Sequence, residues 1–166
     1  MNKEELFLKT AFCFMACDGR IEPQEIEVMK DYISKYNLEI KESANIIDSY
    51  VNEINKNSAS FFKKYISEVA VSSLDTEAML TLIKIAMDMI ESDNVIEYSE
   101  IAFFKKVREV IPISDSTILD KYPDKEDYLL PDSNSDYDFG NTLSFDIHKI
   151  NMPKKSTILF GYQIEE

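Results

Sequence analysis

The stretch ACDGRIEPQE, residues 16–25, matches the second half of an EF-hand calcium loop whose first half is missing. In an EF-hand loop the sixth position is Gly, and the twelfth is a Glu that binds the ion with both carboxylate oxygens. Asp18, Gly19 and Glu25 fit the fifth, sixth and twelfth positions, but the first and third positions fall on apolar residues. The stretch is therefore either a metal site or a turn that only reverses the chain.

Apolar sequence lies on both sides of this stretch. Residues 6–17 are mostly apolar, and residues 11–17 contain no polar side chain, which predicts a central helix buried on all sides. After the Asp-Gly break, apolar residues recur at helical spacing and predict an amphipathic helix over residues 23–36. The sequence thus predicts a buried helix, a tight turn and an amphipathic helix in succession.

The same pattern returns in ESDNVIEYSE, residues 91–100, 75 positions downstream. Asn stands here in place of Gly, and both residue types tolerate the left-handed backbone that such a turn requires. The second copy also follows an apolar helix, predicted from Thr76 to about Glu91 with Asp75 as its N-cap. The matching pairs are Asp18 and Asp93, Gly19 and Asn94, Ile21 and Ile96, Glu22 and Glu97, and Glu25 and Glu100.

An internal repeat usually means that one supersecondary unit is used twice. We therefore predict that residues 6–36 and 81–111 form two helix–turn–helix units related by a pseudo-two-fold axis. Ile21 and Ile96 are expected to be buried close to that axis. Between the units, apolar spacing over residues 41–55, and again after the NKNSAS turn, predicts two further helices.

The chain changes character after the helical part. We predict an all-α domain of six or seven helices over residues 1–121, followed by an acidic C-terminal extension over residues 122–166. Two segments of the extension alternate apolar and polar residues, which predicts short strands that could pair as a β-hairpin. Because an isolated hairpin is only marginally stable, its large apolar residues are expected to contact the helices or a partner protein. These residues are Phe145, Ile147, Phe160 and Tyr162.

One interpretation of the two turns is purely structural. Glu22 and Glu97 would be the N-caps of the helices that follow, and Glu25 and Glu100 would reach back to the cap backbone N–H groups. The Gly and Asn would end the preceding helices. In this interpretation the motif reverses the chain and binds no metal.

The other interpretation is a metal site shared by the two turns. Six carboxylates would converge if the turns lie side by side, and such a cluster is unfavourable without a cation or raised pKa values. Oxygen ligands alone favour calcium, magnesium or manganese over zinc. The candidate ligands are Asp18, Glu22, Glu25, Asp93, Glu97 and Glu100.

The two DGxIxxxE-type copies, each between an apolar and an amphipathic helix, resemble the TerB-like family over roughly residues 3–121. The resemblance implies a compact helical module without established catalysis, which senses metal or scaffolds partners in bacterial stress-response, tellurite-resistance-type or phage-defence systems. It also implies protein partners, some of them in the membrane. Asn94 is a mild departure from the Gly of the pattern. The alternative is a pure protein–protein interaction module whose acidic turns are only helix caps.

The composition of the chain argues against several classes of function. A net charge of -13 argues against direct binding of nucleic acid or anionic lipid. No apolar run approaches the roughly 20 residues that span a bilayer, and no signal-peptide core is seen, so a cytoplasmic protein is expected. Cys13 and Cys17 fit a buried helix face as core residues. The only histidine, His148, has no identifiable catalytic partner, and we expect no enzyme activity.

Overall fold

The computed structural model describes residues 1–19, 21–36 and 40–130. Within these ranges the chain forms seven α-helices and one short 3-10 helix, and no strand, so the predicted all-α fold is confirmed there. The α-helices are α1 (Lys3–Ala16), α2 (Pro23–Lys35), α3 (Ile40–Lys56), α4 (Ser58–Val71), α5 (Thr76–Glu91), α6 (Tyr98–Glu109) and α7 (Asp115–Lys121), and the 3-10 helix is Glu126–Leu129.

The core is built around α1 and α5, which make the most extensive helix–helix contact among the described residues. Every residue of α1 from Leu6 to Ala16 is buried, as predicted for the central helix. A helix that is apolar on all sides needs neighbours on all sides, and α2, α4, α5 and α6 all contact α1. The helices α2, α4 and α6 therefore pack around this central pair.

Aromatic rings join the central helix to α4 and α6. The ring centroids of Phe14 and Phe103 lie 4.7 Å apart, and those of Phe62 and Phe103 lie 5.3 Å apart. Phe12 meets Phe61 edge to face at 5.9 Å. Aromatic pairs at such separations stabilise a fold beyond the burial of their area, so these contacts help to fix how α4 and α6 dock on α1.

Side-chain caps decide where α4 and α5 begin. Asp75 accepts a hydrogen bond from the Ala78 N–H at 2.8 Å, which confirms the predicted N-cap of α5. Asn57 accepts from the Ser60 N–H at 3.0 Å and caps α4 in the same way. The prediction of a turn over the whole NKNSAS segment is therefore wrong, because the capped helix already begins at Ser58 and Asn57 alone separates it from α3.

The first residues of the predicted extension pack on the helical body. Lys125 Nζ lies 2.7 Å from Glu91 Oε1, and the Tyr128 hydroxyl donates to the same oxygen at 2.8 Å. These bonds hold residues 122–130 against the C-terminal end of α5. The predicted strands lie outside the described residues, as do Phe145, Ile147, Phe160 and Tyr162.

The two units differ at the isoleucine that follows each turn. Ile21 is 7% exposed, but Ile96 is 53% exposed, beside Val95 and Tyr98, which are also exposed. The prediction that Ile96 is buried near the two-fold axis is therefore wrong. The turn is repeated but its surroundings are not: α2 is followed by the long α3, which packs against it, whereas α6 is followed by α7, which has seven residues.

Replacing each isoleucine by alanine should affect the stability of the protein differently at the two turns. Ile21→Ala is expected to lower the free energy of unfolding by about 2–5 kcal/mol, because it leaves a cavity in the core. Ile96→Ala should change it by less than about 0.5 kcal/mol, as surface substitutions do. Urea unfolding followed by circular dichroism would measure both, and equal losses would contradict the asymmetry.

Candidate functional site

The first acidic turn joins α1 to α2. Gly19 has φ 86°, a left-handed value that favours glycine, and it ends the buried helix. Glu22 is the N-cap of α2 and Pro23 is its first residue. The Glu22 N–H donates a 2.7 Å hydrogen bond to Oε2 of Glu25, whose residue is only 2% exposed. The turn thus places one carboxylate in the protein interior.

The second turn, between α5 and α6, has the same backbone design. Asn94 has φ 61°, in the left-handed region, as predicted from its match to Gly19. The Glu97 N–H donates a 2.8 Å hydrogen bond to Oε2 of Glu100, and Glu100 is 1% exposed. A capping box is therefore present at the start of both amphipathic helices, as the structural interpretation predicts.

The carboxylates of the two turns act on one another. The pKa of Glu25 is raised to about 8, mainly by burial and also by the negative charges of Asp18, Glu100 and Asp93, against the opposing bond from the Glu22 N–H. Burial likewise raises the pKa of Glu100 to about 7, with Asp18 and Asp93 adding to the effect. Carboxylates that influence each other's pKa must be near one another, so the two turns lie at the same end of the domain.

A buried thiol lies among these charges. Burial raises the pKa of Cys17, and the negative charges of Glu100, Asp18 and Glu25 raise it further. Its Sγ is 3.3 Å from the Phe14 carbonyl oxygen, and both Cys17 and Cys13 are free and buried. A thiol held in its neutral form is a poor nucleophile and metal ligand, so these cysteines act as core residues, as predicted.

The six predicted ligands do not form a ready-made coordination shell. Glu25 and Glu100 are buried, Asp18, Glu22 and Asp93 are half-buried, and Glu97 is exposed. Among the described residues, no group of three or more His, Cys, Asp or Glu side chains lies close enough to hold a metal ion. The donor chemistry fits a hard cation, but Glu25 and Glu100 each already bind a backbone N–H, and further ligands would have to move toward them.

Sequence reasoning missed an ion pair between a buried lysine and a partly buried glutamate, neither of which belongs to the turns. Lys9, in the middle of α1, is 2% exposed, and its Nζ lies 2.6 Å from Glu68 Oε2. A lysine within an otherwise apolar helix is the signal that could have found it, because a buried ammonium group needs a partner. The identity of that partner on α4 depends on tertiary packing, which the sequence pattern does not give.

A sequence model of a known family matches the chain over residues 10–120, about two thirds of its length, and its description is tellurite resistance protein TerB. The chain belongs to the TerB family. The match begins within α1, ends within α7 and includes both acidic turns, which confirms the resemblance drawn from the repeated motif. Searches of curated proteins and of solved structures find no significant match.

Among the described residues of this TerB domain, no helix combines the length and the apolar character needed to cross a bilayer.

The raised pKa values of Glu25 and Glu100 predict that the stability of the TerB domain depends on pH. The folded state holds these two protons more tightly than the unfolded state, so the stability they contribute is complete below the ordinary pKa of Glu, about 4.3. It is lost as pH rises through about 7 for Glu100 and about 8 for Glu25. The melting temperature is therefore expected to fall by several degrees between mildly acidic and mildly alkaline buffer.

The double variant Glu25→Gln, Glu100→Gln tests the origin of this fall. A Gln side chain can still accept the cap N–H but carries no charge, so thermal melts across the pH range should give a flatter profile than the unmodified chain. The exposed Glu27→Gln on α2 is the matched control and should keep the full slope. A double variant with an unchanged profile would assign the pH dependence to other groups.

Proposed function

We propose that this TerB domain is a non-enzymatic module of a bacterial stress-response system, of the tellurite-resistance or phage-defence type. It binds a divalent cation at its paired acidic turns and scaffolds partner proteins. The observation that supports cation binding is that burial, together with the repulsion of neighbouring carboxylates, raises the pKa values of two glutamates. Burying like charges together is unfavourable unless a cation compensates them.

A divalent cation would relieve this repulsion. With oxygen ligands only, calcium, magnesium and manganese are the candidates. The charges of Asp18 and Asp93 act on both Glu25 and Glu100, and the cap residues Glu22 and Glu97 are adjacent. Because the same carboxylates start α2 and α6, cation binding would alter the contacts that set those two helix ends.

The scaffold role is supported by the apolar surface of the second turn. Val95 is 54% exposed, Ile96 53% and Tyr98 46%, and they flank the cap residue Glu97. Apolar side chains grouped on a surface favour a protein contact. A cation that reorganises Asp93 and Glu100 would act within a few residues of this surface, which links metal occupancy to the binding of a partner, including a membrane-bound one.

The second candidate function is a pure protein–protein interaction module without a metal site. It is favoured by the two capping bonds, Glu22 N–H to Glu25 and Glu97 N–H to Glu100, because they already give each buried carboxylate a partner. In this case the raised pKa values keep the glutamates protonated near neutral pH, and the turns serve only the fold.

Cation titration distinguishes the two functions. Calcium, magnesium or manganese should raise the melting temperature by mass action, with a stabilisation of about 1.4 kcal/mol at ten times the dissociation constant. The rise should be larger at pH 8 than at pH 6, because protons compete for the same carboxylates. Differential scanning fluorimetry of the full chain would measure it.

Variants with and without the two turn glutamates serve as controls for this titration. Glu25→Gln, Glu100→Gln should abolish the rise while the far-ultraviolet circular dichroism stays helical, and Glu27→Gln should keep it. Potassium chloride at matched ionic strength accounts for screening. A melting temperature that none of the three cations changes would reject the metal site and leave the interaction module.

The C-terminal extension is the other part of the proposal. We propose that Phe145, Ile147, Phe160 and Tyr162 contact a partner protein. The described helices already surround α1 and α5 with α2, α4 and α6, so deleting residues 142–166 is expected to change the melting temperature by no more than about 2 °C. The same deletion should abolish co-purification of the partner from the native host.

A large fall in melting temperature after this deletion would contradict the proposal, because it would mean that these residues pack on the domain itself. A variant that ends after residue 162 is a useful comparison. It keeps all four proposed contact residues and should still co-purify with the partner.

A further inference from the structure

A cleft of about 330 Å³ lies between α1, α3 and α4. This volume is at the lower end of the range of small-molecule sites, about 300–1,000 Å³. None of its lining residues belongs to the two acidic turns, so the cleft and the turns can be tested separately.

On the α1 side, the cleft is lined by Lys9, whose ammonium group is buried. Its Nζ lies 2.6 Å from Glu68 Oε2, 5.1 Å from the centroid of the Phe61 ring and 5.4 Å from that of Tyr50. The ion pair and the cation–π contacts account for this charge within the protein. Lys9 is therefore neutralised and does not make the cleft a site for anions.

Tyr50 lines the same cleft and has an unsatisfied polar atom. The residue is 5% exposed, and its buried hydroxyl has no hydrogen-bond partner among the described residues. Burial raises the pKa of this hydroxyl, and the charges of Glu5, Glu68 and Glu53, all lining residues, raise it further. Tyr50 thus lines the cleft together with these carboxylates, and its hydroxyl bonds to none of them. Buried polar groups without a partner are uncommon and call for an explanation.

The charges of the lining are unbalanced. Four carboxylates (Glu5, Glu42, Glu53 and Glu68) line the cleft together with three ammonium groups (Lys9, Lys64 and the α-amino group of Met1), which leaves a formal charge of −1. Lys9 pairs with Glu68, and Lys64 lies 3.9 Å from Glu53. Glu5 and Glu42 form no ion pair with any described residue.

We propose that this cleft binds a small organic cation that carries a primary ammonium or guanidinium group. Such a group donates an N–H to the Tyr50 hydroxyl oxygen and places its charge near Glu5 and Glu42. A free amine and the end of a lysine or arginine side chain present the same chemistry.

Nuclear magnetic resonance of the full chain tests the site with defined probes. Titration with n-butylammonium chloride, with spermidine and with N-acetyl-lysine methylamide should shift the amide signals of α1, α3 and α4 in a saturable way. The uncharged n-butanol should not. Saturation by spermidine but not by the capped lysine would identify a free amine as the ligand class, and saturation by the capped lysine would identify a protein side chain.

Three variants assign the binding to the cleft. Tyr50→Phe removes only the hydroxyl and should weaken binding about tenfold, the effect of one lost hydrogen bond to a charged group. Glu5→Gln, Glu42→Gln should weaken it by at least as much. Glu77→Gln, an exposed residue on α5 outside the cleft, should leave the affinity unchanged.

The melting temperature of Tyr50→Phe is an independent readout. Removing a buried hydroxyl that has no partner should leave the melting temperature unchanged or raise it. A fall of several degrees would mean that the hydroxyl is already bonded within the protein, and it would overturn the proposal. So would the absence of saturable shifts with all three probes, or an equal affinity in Tyr50→Phe and Glu77→Gln.

Discussion

Two helices that must be buried on nearly every side, α1 and α5, constrain the rest of this structure. Residues 11–16 of α1 have no measurable exposure, and α5 buries most of its second half. Neither helix can end in a long polar loop within the core, so each leaves it through a tight turn with a left-handed residue. Because these turns lie at the same end, the carboxylates that begin the next helices are brought together.

Helix capping and charge repulsion meet in the same two side chains. Glu25 and Glu100 each accept a short bond from a cap N–H, which favours the ionised form. Burial and neighbouring carboxylates oppose ionisation more strongly, and the pKa values rise to about 8 and about 7. The two carboxyl groups that help to define where α2 and α6 begin are therefore also groups whose ionised form the fold disfavours.

Much of this architecture could be predicted because its signals are local. The capping boxes, the left-handed Gly19 and Asn94, and the Asp75 cap depend on residues within a few positions of one another. Ile96 could not be predicted from the repeat, since its exposure depends on the tertiary packing around each turn, which differs between the two units. The same limit applies to Lys9 and Tyr50, because their surroundings come from α1, α3 and α4 together. Whether the six carboxylates bind a cation depends on side-chain positions that no motif specifies.

The single residue between α3 and α4 has a mechanical consequence for the cleft. Asn57, with φ −160° and ψ 95°, is the whole connection between two helices that both line the cleft. Because this connection has only one residue, the cleft can widen only if one of the two helices rotates as a rigid body about Asn57. Such a rotation would also separate the Phe12 and Phe61 rings that hold α4 to α1. The width of the cleft is therefore coupled to the packing of α4 on α1.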